Sequence, residues 1–78
     1  MYINLTVDLY HNKDETIEIR ISDQHTVKGF IDIVHQITEQ EFDNDKHWIR
    51  VSNKQKVFYG NATLESCGIT TGDRIKIL

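Results

Sequence analysis

The fold is decided between residues 16 and 37, which read TIEIRISDQHTVKGFIDIVHQI. Hydrophobic residues recur at every second position over 16–21 and then at the spacing i, i+3, i+4, i+7, i+10. The first spacing is typical of a half-buried strand and the second of one face of an α-helix. We predict that the helix spans about 26–40, capped by Thr26 or alternatively by Asp23. The predicted inward residues are Val27, Phe30, Ile31, Val34 and Ile37, with Ile33 at the edge of the face.

The segment before this stretch predicts a partner strand for 16–21. Residues 2–10, YINLTVDLY, alternate strictly between apolar and polar or aromatic positions. Five polar residues, 11–15, separate the two alternating runs. Two such runs joined by a short polar segment indicate a β-hairpin.

Three shorter strands are predicted after the helix. They are 47–52 (HWIRVS), 57–59 (VFY) and 74–78 (RIKIL). A tight turn at 70–73 precedes the last strand, and Gly72 can supply a positive φ there. The order is β-β-α-β-β-β, and one helix must cover one face of a mixed sheet. We therefore expect residues 1–78 to form a single two-layer α+β domain.

Composition excludes several classes of protein. The net charge of −3 argues against a dedicated nucleic-acid binder, and the single cysteine, Cys67, excludes an intrachain disulfide. Acidic residues interrupt the first twenty positions, so no signal peptide is expected there. No apolar run approaches the roughly 20 residues of a membrane span. A cytoplasmic protein is the simplest expectation.

The last third of the chain carries a resemblance to a known superfamily. Thr63-Leu64, Ile69 and the segment 72–77 (GDRIKI) match the TL…I..GD.L.L pattern of many ubiquitin-like domains. The resemblance implies a ubiquitin-like β-grasp fold for the whole chain.

The chain more closely resembles the YukD/EsaB family of small ubiquitin-like proteins of type VII (WXG100-exporting) secretion systems. The matching segments are MYINLTVDL at 1–9, Ser22-Asp23, Val27-Lys28, 31–33, 47–51, Asn53-Lys54, 56–58, 67–70 and Gly72-Asp73. The resemblance implies an accessory cytosolic component of that secretion machinery, with protein partners among its subunits.

The end of the sequence leads to a further expectation. Conjugated ubiquitin-like proteins and sulfur carriers need a flexible tail that ends in Gly-Gly. Here Leu78 follows directly on the predicted core residues Ile75 and Ile77. We therefore expect no conjugation through the C-terminus.

The resemblance also implies a candidate binding surface. In a ubiquitin-like sheet the first strand lies beside the last, and the third strand flanks the last on its other side. This arrangement gathers the predicted partner-binding residues, which are Trp48, Arg50, Arg74, Lys76 and Leu78, with Tyr2 and Asn4 next along. Tryptophan and arginine are enriched in binding hot spots. Alternatively, Trp48 packs along a sheet edge and the basic residues are ordinary solvated charges.

Other reactive residues give weaker signals. Lys54 and Lys56 are more simply read as solubilising charges than as a basic edge for an acidic partner or lipid headgroups. The four histidines are scattered without ligand spacing, and Cys67 lacks an activating base in the sequence. We expect no catalytic site, no cofactor and no metal.

The resulting functional prediction is a non-enzymatic interaction module of a type VII secretion system. A small β-grasp subunit of an unrelated enzyme complex is the main alternative. A ubiquitin-like or sulfur-carrier protein is a further alternative, which the absence of a Gly-Gly tail disfavours.

Overall fold

The computed structural model describes residues 1–8, 16–38 and 48–78. Within these ranges the chain forms five strands and one helix in the predicted order. They are β1 (Tyr2–Asp8), β2 (Thr16–Ser22), α1 (Val27–Thr38), β3 (Trp48–Val51), β4 (Lys56–Tyr59) and β5 (Arg74–Ile77). Three parts of the prediction lie outside the described residues. They are the turn at 11–15, residues 9–10 of the first strand and residues 39–40 of the helix.

The sheet has the order β2-β1-β5-β3-β4, so the last strand of the chain lies at its centre. β5 pairs in parallel with β1 and antiparallel with β3. The hairpins β1–β2 and β3–β4 complete the two sides of the sheet. A mixed five-stranded sheet with one helix across it is the ubiquitin-like β-grasp architecture, and the predicted α+β fold class is confirmed.

The core lies between the sheet and the helix because period-two alternation sends one set of strand residues toward α1. The buried strand residues are Ile3, Leu5, Val7, Ile19, Ile21, Ile49, Val51, Ile75 and Ile77. From the helix, Val27, Phe30, Ile31 and Val34 fill the other side. Leu64 and Ile69 are buried in the same core, and Ile33 packs half-buried against it, as its edge position predicts.

The prediction that Ile37 faces the core is wrong, because its side chain is 57 % exposed. Direction does not explain this exposure, because seven residues advance a helix by about 700° and Ile37 therefore points within about 20° of the buried Phe30. Ile37 belongs to the last turn of α1, which ends at Thr38. A residue at the end of a helix has little of the sheet left to cover it.

Thr26 is the helix cap, as predicted. Its Oγ1 accepts a hydrogen bond from the Gly29 N–H at 3.0 Å. Asp23, the alternative cap, has another role, since its Oδ1 accepts a hydrogen bond from the N-terminal ammonium at 3.1 Å. The Val27 and Lys28 N–H groups donate to carbonyls of the segment after β4. The start of α1 is therefore fixed both by its cap and by the chain that follows β4.

The predicted tight turn before β5 is also present. Gly72 has a φ of 93°, a conformation that glycine adopts without strain. Its N–H donates to the Asn4 carbonyl at 2.9 Å, which joins the turn to β1. This contact brings the chain into the sheet at the position where β5 can pair with the second half of β1.

A candidate protein-interaction face

The face of the sheet that points away from α1 carries the candidate site. We call it the outer face; it consists of the exposed alternate residues of the strands. Strand register sets its rows: Arg50 lies opposite Lys76 across β3 and β5, and Lys76 lies opposite Asp8 across β5 and β1. In the next row Trp48 lies opposite Tyr59, and the Leu78 N–H donates to the Trp48 carbonyl at 3.1 Å.

The structure brings together the five residues predicted to bind a partner. All of them are exposed, on β3, on β5 or directly after β5: Trp48, Arg50, Arg74, Lys76 and Leu78. They share the outer face because the odd-numbered residues Ile49, Ile75 and Ile77 point into the core. Their role in binding stays a prediction.

The expected position of Tyr2 and Asn4 beside these residues is wrong. Thr6 lies opposite Arg74 and Asp8 opposite Lys76, because β5 starts level with the second half of β1. Asn4 lies instead beside the turn before β5, and its N–H donates to Thr71 Oγ1 at 3.2 Å. The basic residues of β5 therefore have an aspartate as neighbour where an aromatic and an amide side chain were expected.

Sequence reasoning missed the contribution of β4. The rings of Trp48 and Tyr59 stack with their centroids 4.4 Å apart and their planes 28° apart. Val57, opposite Arg50, is exposed as well. Alternation places Val57 and Tyr59 on the face opposite to Phe58, but three consecutive apolar residues do not show which face is inward. We call the group Trp48, Arg50, Val57, Tyr59, Lys76 and Leu78 the aromatic–basic patch.

Arg74 lies at the margin of the aromatic–basic patch and is held by Asp8. Its Nε donates to Asp8 Oδ2 at 2.9 Å and its Nη2 to Oδ1 at 2.7 Å. The hydrogen bonds from Arg74 lower the pKa of Asp8, and the same contact raises the pKa of Arg74. The carboxylate opposite Lys76 in the sheet is thus already occupied by a bidentate partner.

Arg50 and Lys76 are in a different situation. The ion pairs found in the described part of the chain are Met1–Asp23, Lys54–Asp73 and Arg74–Asp8, and they include neither residue. Both side chains are exposed and project from the centre of the sheet. The patch therefore presents two cations that no described carboxylate neutralises by direct contact.

Lys54, read from the sequence as a solubilising charge, has a structural role. Its Nζ lies 2.8 Å from Asp73 Oδ2 and donates to the Gly68 carbonyl at 2.6 Å. Asp73 is 3 % exposed and also accepts hydrogen bonds from Asn53 Nδ2 at 2.8 Å and from the Thr70 N–H at 2.9 Å. Burial raises the pKa of Asp73, but the hydrogen bonds from Lys54, Asn53 and Thr70 outweigh it and the pKa is lowered.

The remaining reactive side chains are not arranged for catalysis in the regions that the structure describes. Cys67 is half-buried against the core, and burial raises the pKa of its thiol. A raised pKa reduces the thiolate fraction that a nucleophile needs. His25 and His35 lie in the described regions, whereas His11 and His47 lie outside them. The described residues contain no group of three or more His, Cys, Asp or Glu side chains able to hold a metal ion.

The fold and this outer face define the class of the protein, a small ubiquitin-like β-grasp protein with an exposed aromatic–basic sheet surface. Residues 2–77 match the family described as WXG100 protein secretion system (Wss), protein YukD. The ESX secretion system protein YukD of Bacillus subtilis (strain 168) is 48 % identical over 79 residues, with 100 % of each chain covered. The chain belongs to the YukD family. In the described residues no helix combines the length and the apolar character that crossing a membrane requires.

Proposed function

We propose that the chain is a non-enzymatic interaction module of the WXG100 (type VII) secretion system, which binds another component of that system in the cytoplasm through the aromatic–basic patch. Membership of the YukD family supports the pathway. The name of the B. subtilis relative refers to the same kind of secretion system. The part of the proposal that concerns the surface rests on the geometry of the sheet.

The distribution of exposed hydrophobic side chains carries the proposal. Seven large hydrophobic residues of the described regions are exposed: Met1, Tyr2, Ile37, Trp48, Val57, Tyr59 and Leu78. Four of the seven, Trp48, Val57, Tyr59 and Leu78, belong to the aromatic–basic patch. A monomer of this size has few apolar residues to spare from its core. Gathering them on one face is typical of a protein-binding surface.

The chemistry of these residues also suits binding. Trp48 is 42 % exposed and Tyr59 63 % exposed, although their rings are stacked on each other. Stacking restricts both side chains before a partner arrives, so less conformational entropy is lost on binding. Tryptophan, tyrosine and arginine are the residues most enriched in binding hot spots. Arg50, which follows Trp48 on the same face of β3, adds a third residue of this kind.

The proposal is tested by capture of secretion-system components. The chain is used as bait in an extract of its source organism, and the captured WXG100 secretion proteins are quantified by mass spectrometry. The test variant carries Trp48→Ala with Arg50→Glu. The matched control carries Ile37→Ala with Lys28→Glu, which also removes one exposed apolar side chain and reverses one charge, but on the helix.

We expect the wild-type chain and the control to capture the same secretion component, and the test variant to lose it by about tenfold or more. Circular dichroism of all three proteins checks that the fold is retained. Capture that is undiminished in the test variant would show that the patch is not the binding surface. Capture of subunits of an unrelated enzyme complex, without any secretion component, would contradict the proposed pathway. Fractionation of the source cells tests the cytoplasmic location.

A further inference from the structure

The centre of the aromatic–basic patch contains a pair of like charges. Arg50 and Lys76 are direct partners across β3 and β5, so their Cα atoms are about 5 Å apart. Like charges placed directly opposite each other destabilise a sheet. A negative group bound between the two side chains would replace this repulsion by two attractions. The geometry is therefore better suited to an anion than to a neutral partner.

Neither carboxylate of the described strands, Asp8 or Glu18, is free to occupy this position. Asp8 is the neighbour of Lys76 on β1, but both of its oxygens accept hydrogen bonds from Arg74. Glu18 of β2 lies opposite Thr6 and is separated from β5 by β1. Two strand spacings, roughly 10 Å, therefore separate the Glu18 backbone from that of β5. The described strands therefore leave the position between Arg50 and Lys76 open to an anion from a partner.

An apolar subsite lies beside the pair of cations. Trp48 and Arg50 are two residues apart on β3, so their side chains leave the same face roughly 7 Å apart. The Trp48–Tyr59 pair therefore provides a flat aromatic surface at a fixed distance from the anion position. A matching partner carries an acidic and an apolar side chain about 7 Å apart, as residues i and i+2 of an extended segment do.

The overall charge favours a protein over a membrane or a nucleic acid as the source of the anion. The whole chain has a net charge of −3, so its general field does not attract a polyanion. Two cations contribute about 1 kcal/mol each near an anionic lipid surface, which gives only weak binding. Nucleic-acid affinity grows with the number of neutralised phosphates, and the patch offers too few cations for it.

We infer that the aromatic–basic patch recognises an acidic protein segment, with an Asp or Glu carboxylate between Arg50 and Lys76 and a neighbouring apolar side chain on Trp48 and Tyr59. This inference rests on the proposed function, because it specifies the chemistry of the partner at the same surface. It makes a distinct claim, however: binding depends on the two positive charges as well as on the aromatic pair.

The first test measures the dependence on charge. The probes are purified soluble domains of the WXG100 secretion-system proteins of the source organism, titrated with the chain by calorimetry. Arg50→Glu and Lys76→Glu should each weaken binding by about tenfold or more. Lys28→Glu, an equal charge reversal on the helix, should leave the affinity within about twofold of wild type, since exposed distant charges are largely screened. Unchanged affinity of both sheet variants would overturn the inference.

The second test identifies the group that Lys76 contacts. A carbodiimide joins a lysine amine directly to a carboxylate and leaves no spacer, so it reports close contact. We expect a product that links Lys76 to an Asp or Glu of the bound domain, identified by mass spectrometry. Lys76→Arg retains the charge and lacks the reactive amine, so it should bind but give no product linked at position 76. Efficient linkage of other lysines in the complex, without any at Lys76, would count against the inference.

The outcomes separate this inference from the proposed function. Binding that requires Trp48 but tolerates both charge reversals would retain the proposed function and reject the acidic partner. Failure of every secretion-system domain to bind the wild-type chain would reject both. Charge-dependent binding to vesicles of phosphatidylglycerol and phosphatidylcholine, without binding to any of these domains, would identify the patch as a lipid-binding surface and overturn the inference.

Discussion

Arg74 and Asp8, which are separated by 66 residues in the sequence, are joined by two parallel hydrogen bonds of 2.9 and 2.7 Å. The contact forms because β1 and β5 pair in parallel, with Thr6 opposite Arg74 and Asp8 opposite Lys76. It places a carboxylate at the margin of the aromatic–basic patch and occupies it there. Asp8 thus reduces the positive charge that the patch presents to a partner.

The first prediction concerns this internal carboxylate. Asp8→Asn removes its negative charge, releases Arg74 and adds a third uncompensated cation beside Arg50 and Lys76. If the partner is acidic, its affinity should rise by about threefold, because complementary charge increases. The unfolding midpoint should fall slightly, because the partly buried Asp8 loses its charge while its partner Arg74 is half-exposed and contributes only a small stabilisation. Calorimetry with the bound secretion-system domain measures the change, and weaker binding would contradict the account.

The second prediction separates stability from binding at Arg50. Arg50→Glu places a negative charge opposite Lys76, so a repulsive cross-strand pair becomes an attractive one. We expect the free energy of unfolding in urea to rise by about 0.5 kcal/mol. Partner binding should fall in the same protein. A variant that loses both stability and binding would indicate that Arg50 supports the fold and does not serve recognition.

The third prediction concerns the buried carboxylate of Asp73. Asp73→Asn removes the negative charge that pairs with Lys54. It also replaces one acceptor oxygen by an NH₂ group, which then faces N–H donors with no acceptor between them. The free energy of unfolding should fall by about 2 kcal/mol, less than for a fully buried pair because Lys54 is partly exposed. Urea unfolding followed by circular dichroism measures the loss. Asp32→Asn on the exposed side of α1 is the control, and an equal effect there would contradict the assignment.

The fourth prediction concerns the loss of folding stability at acidic pH. The pKa of Asp8 is lowered by hydrogen bonds from Arg74, and that of Asp23 by a hydrogen bond from the N-terminal ammonium. The pKa of Asp73 is lowered too, because its hydrogen bonds outweigh the effect of burial. All three groups have an ordinary value of 3.8. A pKa that is lower in the folded state stabilises the protein above the ordinary value, and this contribution disappears as the pH falls through the folded pKa.

Stability should therefore be nearly constant from neutral pH to about pH 5 and should fall below about pH 4. Urea midpoints measured over this range provide the test. The Asp73→Asn variant, which lacks one of the three groups, should show a shallower decrease than the wild-type protein. An equal decrease in both proteins would mean that Asp73 does not contribute to the acid sensitivity.

The sequence predicted most of the fold because its apolar residues follow two clear periods. Alternation identified the buried residues Ile49, Val51, Ile75 and Ile77, and the helical spacing identified Phe30 and Val34. The error at Ile37 arises because periodicity describes the direction of a side chain but not where the sheet beneath it ends. The Thr26 cap was predictable since it depends only on the four residues from Thr26 to Gly29.

The composition of the candidate site was predictable in part. The exposed residues of β3 and β5 follow from alternation, once the resemblance to ubiquitin-like proteins supplies the strand order. The strand order does not determine the register between β1 and β5. Tyr2 and Asn4 were therefore expected at the position that Asp8 occupies. Parallel register depends on where the turn at Gly72 meets Asn4, which is a contact between distant parts of the chain.

Tyr59 and Lys54 illustrate two other limits. Tyr59 was overlooked because the apolar run 57–59 does not show which face of β4 points outward, and its stacking on Trp48 required the structure. The structural role of Lys54 could not be predicted from its position on a turn. Its partner Asp73 is distant in the sequence, and the burial of Asp73 depends on the whole fold. Side-chain pairs between distant segments determine how many of the basic residues remain available to a partner.

The most direct test of the central claim, that the aromatic–basic patch is the partner surface, uses the single tryptophan of the chain. Biosynthetic incorporation of fluorinated tryptophan gives one fluorine resonance, which reports on Trp48 alone. Addition of the unlabelled secretion-system domain should shift and broaden this resonance until the complex is saturated. An unchanged resonance in a sample whose complex is demonstrated by size-exclusion chromatography would contradict the account, because the partner would then bind elsewhere on the domain.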